Sequence, residues 1–178
     1  MLQNFRSFFL SKSNHTFRRL GMCFFGQEKY IASISCLKRA MYLDPFAWII
    51  AYNLGLVHLN TGQYASAFHY FSSSINLVRA TGAPDFASAY MYLGVTLVRL
   101  NDFENACQAY EKALEIDRDD HLCHLNYAVS LLNAGQEKSA EKHLEHFERI
   151  FADLDEDEKN NDPDVLEVRA ELLNRLKN

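Results

Sequence analysis

The chain has 178 residues, 48% hydrophobic and 23% charged, which is typical of a globular protein. Three prolines and seven glycines are too few for an all-β chain with many tight turns, and they favour helices. The net charge of −5 argues against nucleic acid as a partner, and the apolar runs are far shorter than the roughly 18 residues of a membrane span.

Residues 1–13 contain aromatic and basic side chains and no acid. Leu2, Phe5, Phe8 and Phe9 can form one apolar stripe, which predicts an amphipathic N-terminal helix that covers the exposed face of the next element. Two alternatives are a mitochondrial presequence, which is rich in Arg and Ser and poor in acid, and a divergent start of the first repeat.

A repeat with a period of 34 residues begins at Asn14. Each copy predicts two antiparallel helices, with small residues at positions 8 and 20 and bulky apolar residues at 7, 11 and 24. In the second copy we expect Gly55 and Ala67 to face each other, because a glycine inside a helix costs about 1 kcal/mol relative to alanine and needs a packing reason. The four copies span residues 14–47, 48–81, 87–120 and 121–154.

This pattern resembles the tetratricopeptide repeat, and it predicts an all-α solenoid of about four helical hairpins. Residues 82–86 extend the loop between the second and third copies. Phe147 fills a position of the last copy that mostly holds a small residue, so the contact after it should differ. Residues 155–164 are predicted to form an acidic linker, and residues 165–178 a helix that caps the terminal hydrophobic face.

Five metal-ligating side chains lie within the last repeat. His121, Cys123 and His124 share one predicted helical turn, and His143 and His146 lie on the paired helix, so a zinc site is one interpretation. Their spacing matches no zinc signature, and His124 fills a repeat core position, so ordinary packing is the favoured interpretation. The four cysteines show no paired spacing and indicate a reducing compartment.

The acidic segment also resembles part of a calcium-binding loop. Asp153, Asp155 and Asp157 match its first three ligands, but Glu158 stands where the loop needs glycine and Asp164 where it needs glutamate. A solvated charged linker is the better interpretation. The sequence contains no nucleophile elbow, phosphate loop or dinucleotide fingerprint, so we predict no enzyme, cofactor or metal site.

A stack of such hairpins curls into a superhelix, and the first helix of each hairpin lines its concave side. The expected groove is apolar and aromatic with asparagines, and basic only near its N-terminal end. It suits a partner helix or extended segment, although packing against neighbouring helices is the alternative role for each residue. The predicted protein-binding surface consists of Arg18, Arg19, Met22, Ile49, Tyr52, Asn53, Leu56, Asn60, Met91, Tyr92, Val95, Arg99, Leu125, Asn126, Val129 and Asn133.

Some repeats of this kind hold chaperone C-termini in a clamp of lysine, asparagine and arginine. Asn53 matches one clamp position, but Tyr52, Leu56, Ser88 and Tyr92 stand at others. A stand-alone peptide-binding adaptor of the co-chaperone type is therefore the alternative function.

Several strings go beyond what the repeat demands, among them Met22-Cys23-Phe24-Phe25 and Val57-His58-Leu59. Together with YLDPFAW and QYASAFHYF, they resemble the family of the fourth Bardet–Biedl syndrome protein, a tetratricopeptide subunit of the BBSome. The resemblance covers about residues 20–136 and implies that the chain is a C-terminal portion or a short form of a longer superhelix.

The resemblance also implies a function. Members of that family are non-catalytic scaffolds in ciliary membrane-protein trafficking and cilium assembly. The implied partners are other BBSome subunits, pericentriolar satellite proteins and dynein–dynactin. The implied location is the cytoplasm, the cilium and the basal body or centrosome, including centriolar satellites.

Overall fold

A computed structural model of the chain describes residues 2–82, 86–160 and 163–177. Every regular element in these ranges is an α-helix, and the predicted all-α class is confirmed. The helices are α1 (Leu2–Gly26), α2 (Tyr30–Leu43), α3 (Trp48–Asn60), α4 (Tyr64–Thr81), α5 (Ala87–Arg99), α6 (Phe103–Ile116), α7 (His121–Asn133), α8 (Glu137–Asp153), α9 (Glu156–Asn160) and α10 (Pro163–Lys177).

The first eight helices form four antiparallel pairs, and each pair stacks on the next to build a solenoid. Helices α1, α3, α5 and α7, here termed the inner helices, also contact one another in that order. Helices α2, α4, α6 and α8, the outer helices, make fewer contacts with one another. Because the inner helices are closer together, they form the concave side of the curved stack.

The same turn joins the two helices of every pair. One residue with a positive φ angle precedes each outer helix by two positions: Glu28 (58°), Gly62 (70°), Asn101 (61°) and Gly135 (75°). The N–H of the following residue then donates to the carbonyl five residues earlier, as from Gln63 to His58 at 2.8 Å. This hydrogen bond satisfies a carbonyl at the end of the inner helix, and the left-handed position is easiest for glycine or asparagine.

Gly55 allows a close contact inside the second pair. A Cβ atom at Gly55 would lie 2.7 Å from the ring of Phe71 on α4, closer than carbon atoms pack. The sequence predicted Ala67 as the facing residue; Ala67 is buried, but the nearest neighbours of that Cβ position belong to Phe71, one turn further along. Gly94 stands in the same relation to Tyr110 in the third pair, also at 2.7 Å.

Further helical segments lie at both ends of the solenoid. From Leu2 onward, the N-terminal segment belongs to α1 and is continuous with the first repeat. After α8, the five-residue helix α9 lies within residues 155–164, where the sequence predicted only a linker. Helix α10 then packs on α7 and α8, and its Val165 and Leu172 are buried with Phe147 and Phe151.

Candidate protein-binding groove

The inner helices place the sixteen predicted groove residues at three depths. Four are exposed at the rim, nine are half-buried on the floor, and three are buried beneath it. The rim consists of Arg19, Asn60, Arg99 and Asn133. The floor consists of Arg18, Met22, Ile49, Tyr52, Leu56, Tyr92, Val95, Asn126 and Val129.

Asn53, Met91 and Leu125 are the three buried members of the set, between 2% and 4% exposed. A partner lying in the groove would not reach them, because neighbouring helices cover their side chains. Met91 belongs to the core between the third and fourth pairs, and Leu125 belongs to the core beneath α10. The amide nitrogen of Asn53 has no hydrogen-bond partner among the described atoms.

An aromatic cluster forms the floor where α3 meets α5. The ring of Tyr52 lies 4.8 Å from Phe86, 5.9 Å from Phe71 and 6.1 Å from Tyr92, measured between ring centroids. Trp48 closes the cluster at 5.0 Å from Phe86. Burial, with Tyr92 nearby, raises the pKa of the Tyr52 phenol well above its usual value, so this phenol stays neutral.

Phe86 is a groove residue that the sequence pattern missed. It comes from the extended loop rather than from a repeat position, yet its ring packs between Trp48 and Tyr52. The signal available in the sequence was a large aromatic residue immediately before the start of α5. Such a residue can fold back onto the preceding pair, as it does here.

Two asparagines at the C-terminal end of the groove are already engaged. The amide of Asn126 donates to the carbonyl of Leu122 at 2.9 Å, within its own helix. The amide oxygen of Asn133 accepts from Arg175 of α10 at 3.0 Å. Asn60 makes no such contact with the residues that the structure describes, so it is the exposed amide best placed to bind the backbone of a partner.

The histidine cluster of the last repeat lies outside the groove, between α7 and α8. The Nε2 atom of His124 donates to the carbonyl of Arg118 at 3.0 Å, which leaves its Nδ1 atom to accept from His143 at 2.9 Å. His146 donates from Nδ1 to the carbonyl of Lys142 at 2.8 Å. This network holds α7 against α8 and requires the His124 ring to be neutral, since its Nδ1 atom accepts from His143.

The described residues offer little for metal coordination. In the ranges that the structure covers, no three His, Cys, Asp or Glu side chains are grouped so as to hold a metal ion. Cys123 is buried, and that burial raises the pKa of its thiol, which disfavours the thiolate that metals bind. The histidines act in helix packing.

The histidine network predicts a loss of stability in mild acid. Burial first, and then the neighbouring His124 and His146, lower the pKa of His143 to about 4. An unfolded histidine titrates near pH 6.5, so the contribution is complete above that pH and is lost as the pH falls towards 4. Since the ring is only half-buried, we expect the free energy of unfolding to fall by on the order of 1 kcal/mol between about pH 7.5 and 5.

Urea unfolding of the chain and of a His143→Gln variant at both pH values checks this expectation. The variant should lose part of the pH dependence. The matched change at exposed His15, His15→Gln, should leave the pH dependence as it is. Equal pH dependence in all three proteins would contradict the proposed role of the network.

The fold and the groove define a tetratricopeptide-repeat solenoid. Two tetratricopeptide-repeat family models match residues 49–119 and 18–75, and together they span more than half of the chain. The chain belongs to the tetratricopeptide-repeat family. Its particular relatives are curated proteins named BBSome complex member BBS4.

The sequence is 44% identical to the protein of that name from Xenopus tropicalis over 161 residues, and 46% identical to the one from Mus musculus over 164 residues. These matches cover 90% and 92% of this chain but 30% and 29% of the relatives, so the chain spans about a third or less of their length. A homologue from Drosophila melanogaster is 43% identical over 94 residues, covering 53% of this chain and 18% of the homologue. The resemblance predicted from the sequence strings is confirmed.

Solved structures agree on the fold. MamA aligns with a TM-score of 0.69 at 20% identity, covering 77% of each chain. The APC/C hetero-tetramer Cut9–Hcn1 aligns with a TM-score of 0.77 at 19% identity, covering 90% of this chain and 30% of the other. At such low identity, these similarities support the repeat architecture alone.

Proposed function

We propose that the chain is a non-catalytic scaffold that acts as a BBSome subunit in ciliary membrane-protein trafficking and cilium assembly. The observation that carries this proposal is the identity of 44–46% to BBSome complex members over nine-tenths of the chain. The repeat fold supports it, because an open groove lined by half-buried apolar side chains suits the binding of a partner. Both the relatives and the fold point to a scaffold rather than to an enzyme.

The proposed partners are other BBSome subunits, and beyond them pericentriolar satellite proteins and dynein–dynactin. The proposed location is the cytoplasm, the cilium and the basal body, with a pool at centriolar satellites. Within the described ranges, none of the helices combines the length and apolar character that crossing a bilayer requires.

The groove chemistry disfavours the co-chaperone alternative. A carboxylate clamp needs exposed lysine and asparagine on the inner helices, but Tyr52, Leu56 and Tyr92 occupy those positions as half-buried floor residues. Asn53, which matches one clamp position, is only 4% exposed. The positions of the clamp therefore lack the lysines and exposed asparagines that would hold a terminal carboxylate.

Co-purification from ciliated cells tests the proposal. We expect the tagged chain to recover other BBSome subunits, and we expect Leu56→Ser combined with Val95→Ser to reduce that recovery about tenfold. Each truncation removes apolar contact area worth about 1 kcal/mol or more at the groove floor. The matched control is Ile31→Ser on outer helix α2, whose side chain is 89% exposed and away from the groove.

Thermal unfolding of each purified variant separates lost binding from lost folding. Recovery of chaperones alone would contradict the scaffold proposal. Equal recovery by the groove variant and the control would place the binding surface elsewhere.

A further inference from the structure

Acidic residues are absent from all four inner helices. Helices α1, α3, α5 and α7 contain five lysines or arginines and no aspartate or glutamate. The other helices and the loops hold the remaining 13 basic residues and all 23 acidic residues. The inner helices therefore have a formal charge of +5 in a chain whose net charge is −5.

Burial alone does not explain this separation. Packing against neighbouring helices penalises charge of either sign only at buried positions, and the exposed positions of the inner helices could hold aspartate or glutamate. Yet Arg19 and Arg99 stand exposed on the groove rim, and Arg18 is half-buried on its floor. The inner surface thus admits positive charge and excludes negative charge.

These arginines also lack internal counter-charges. Arg18, Arg19 and Arg99 form no ion pair with any described residue. The ion pairs of the described structure lie on outer helices and at the C-terminal end, as between Glu148 and Arg169 at 2.6 Å. The groove consequently presents uncompensated positive charge beside an apolar and aromatic floor.

We propose that the groove binds a partner segment that combines acidic residues with apolar ones, and this rests on the scaffold function proposed above. The apolar side chains of the segment contact the floor at Leu56 and Val95, while its carboxylates face Arg18 and Arg19 at one end and Arg99 at the other. Helices α1 and α5 are separated by one intervening inner helix, about 16–20 Å at ordinary packing distances. An extended segment covers that separation in about five or six residues, so its two acidic positions lie at least that far apart.

Selection from a random peptide library of about 12 residues, long enough to span that distance, tests the proposal on the full 178-residue chain. We expect the enriched peptides to be acidic and apolar. Their affinity, measured by fluorescence anisotropy, should fall about tenfold in a variant that combines Arg19→Glu with Arg99→Glu, since two attractive pairs become repulsive. The loss should be smaller at about 500 mM salt than at about 50 mM.

The matched control combines Lys38→Glu with Lys138→Glu. Both lysines are exposed on outer helices, and the change in net charge equals that of the groove variant. We expect the control to bind the selected peptides with unchanged affinity. An equal loss in both variants would overturn the proposal, because only overall charge would then matter.

The library also separates this inference from the proposed scaffold function. Neutral or basic peptides that lose affinity in the Leu56→Ser and Val95→Ser variant would overturn the acidic partner while supporting the groove. Peptides whose affinity survives both the groove truncations and the arginine reversals would count against the groove itself. An unenriched library would overturn the acidic partner segment, whereas the scaffold function is decided by the co-purification of BBSome subunits.

Discussion

Replacing Gly55 by leucine is expected to lower the free energy of unfolding by about 3 kcal/mol, because the new side chain would overlap the ring of Phe71. Even the first added carbon would lie 2.7 Å from that ring. Phe71 is fully buried and packs against Tyr52 and Tyr92, so it has no free space into which to move. Thermal unfolding should show a midpoint about 6–12 °C lower for a chain of this size.

Alanine at the same position makes a finer test. In an open helix interior, Gly→Ala stabilises by about 1 kcal/mol through helix propensity. At Gly55 the overlap with Phe71 should cancel that gain and leave a net loss. Gly26→Ala is the control, because a Cβ atom at Gly26 meets nothing within 4 Å. Stabilisation by Gly55→Ala would show that Phe71 can move away.

The double variant Gly55→Ala with Phe71→Leu tests whether the Phe71 ring is the group that clashes with a side chain at position 55. If the overlap with the ring is the cause, the cost of Gly55→Ala should shrink once the ring is gone. Additive costs in this cycle would mean that the helix backbones, rather than the Phe71 side chain, set the limit at Gly55.

Repeat periodicity predicted the hairpins because each helix must bury one face, and a small residue recurs wherever two helices approach. It did not identify Phe71 as the neighbour of Gly55. A small residue in a sequence marks a close approach but does not say which atom of the facing helix fills the space. That depends on how the helices cross, which a single repeat does not specify.

The sequence pattern assigned the candidate groove residues to the inner helices, but it only partly predicted how deeply each one is buried. Periodicity assigns a helix face, but the burial of residues at the edge of that face depends on neighbouring repeats. Met91 and Leu125 are buried because the next helix pair and α10 cover them. Phe86 contacts Tyr52 although it lies in a loop between two repeats, where the periodicity makes no prediction. The functional resemblance came from strings such as Val57-His58-Leu59, which the fold does not require.

Helix α10 explains why Phe147 occupies a position that is small elsewhere. Ala40, Ser74 and Ala113, at the equivalent positions, are fully buried where the next inner helix approaches. Phe147 is also fully buried, but it packs beneath α10, which follows no repeat register. The side chain of Arg169 on α10 adds two hydrogen bonds to Glu148, at 2.6 and 2.7 Å.

Removal of residues 163–178 should therefore destabilise the chain and cause it to associate. Without α10, the buried rings of Phe147 and Phe151 would be exposed, and burying each large apolar side chain is worth about 1.5–3 kcal/mol. An exposed apolar patch of that kind favours contact with a second copy. Sedimentation velocity should show concentration-dependent association, together with a lower unfolding midpoint. A monomeric truncation of equal stability would mean that α10 is not a cap.

Two single substitutions in α10 sharpen this test without shortening the chain. Leu172 is 2% exposed, so Leu172→Asp would bury a carboxylate in an apolar site and is expected to cost about 3 kcal/mol or more. Leu166 is 37% exposed on the same helix, and Leu166→Asp should change stability by less than about 0.5 kcal/mol. If α10 is a cap, the Leu172 variant should associate as the truncation does, whereas the Leu166 variant should behave as the unmodified chain. If both variants lost stability and associated to the same extent, only the added charge on α10 would matter. Its packed face would then contribute nothing to the end of the solenoid.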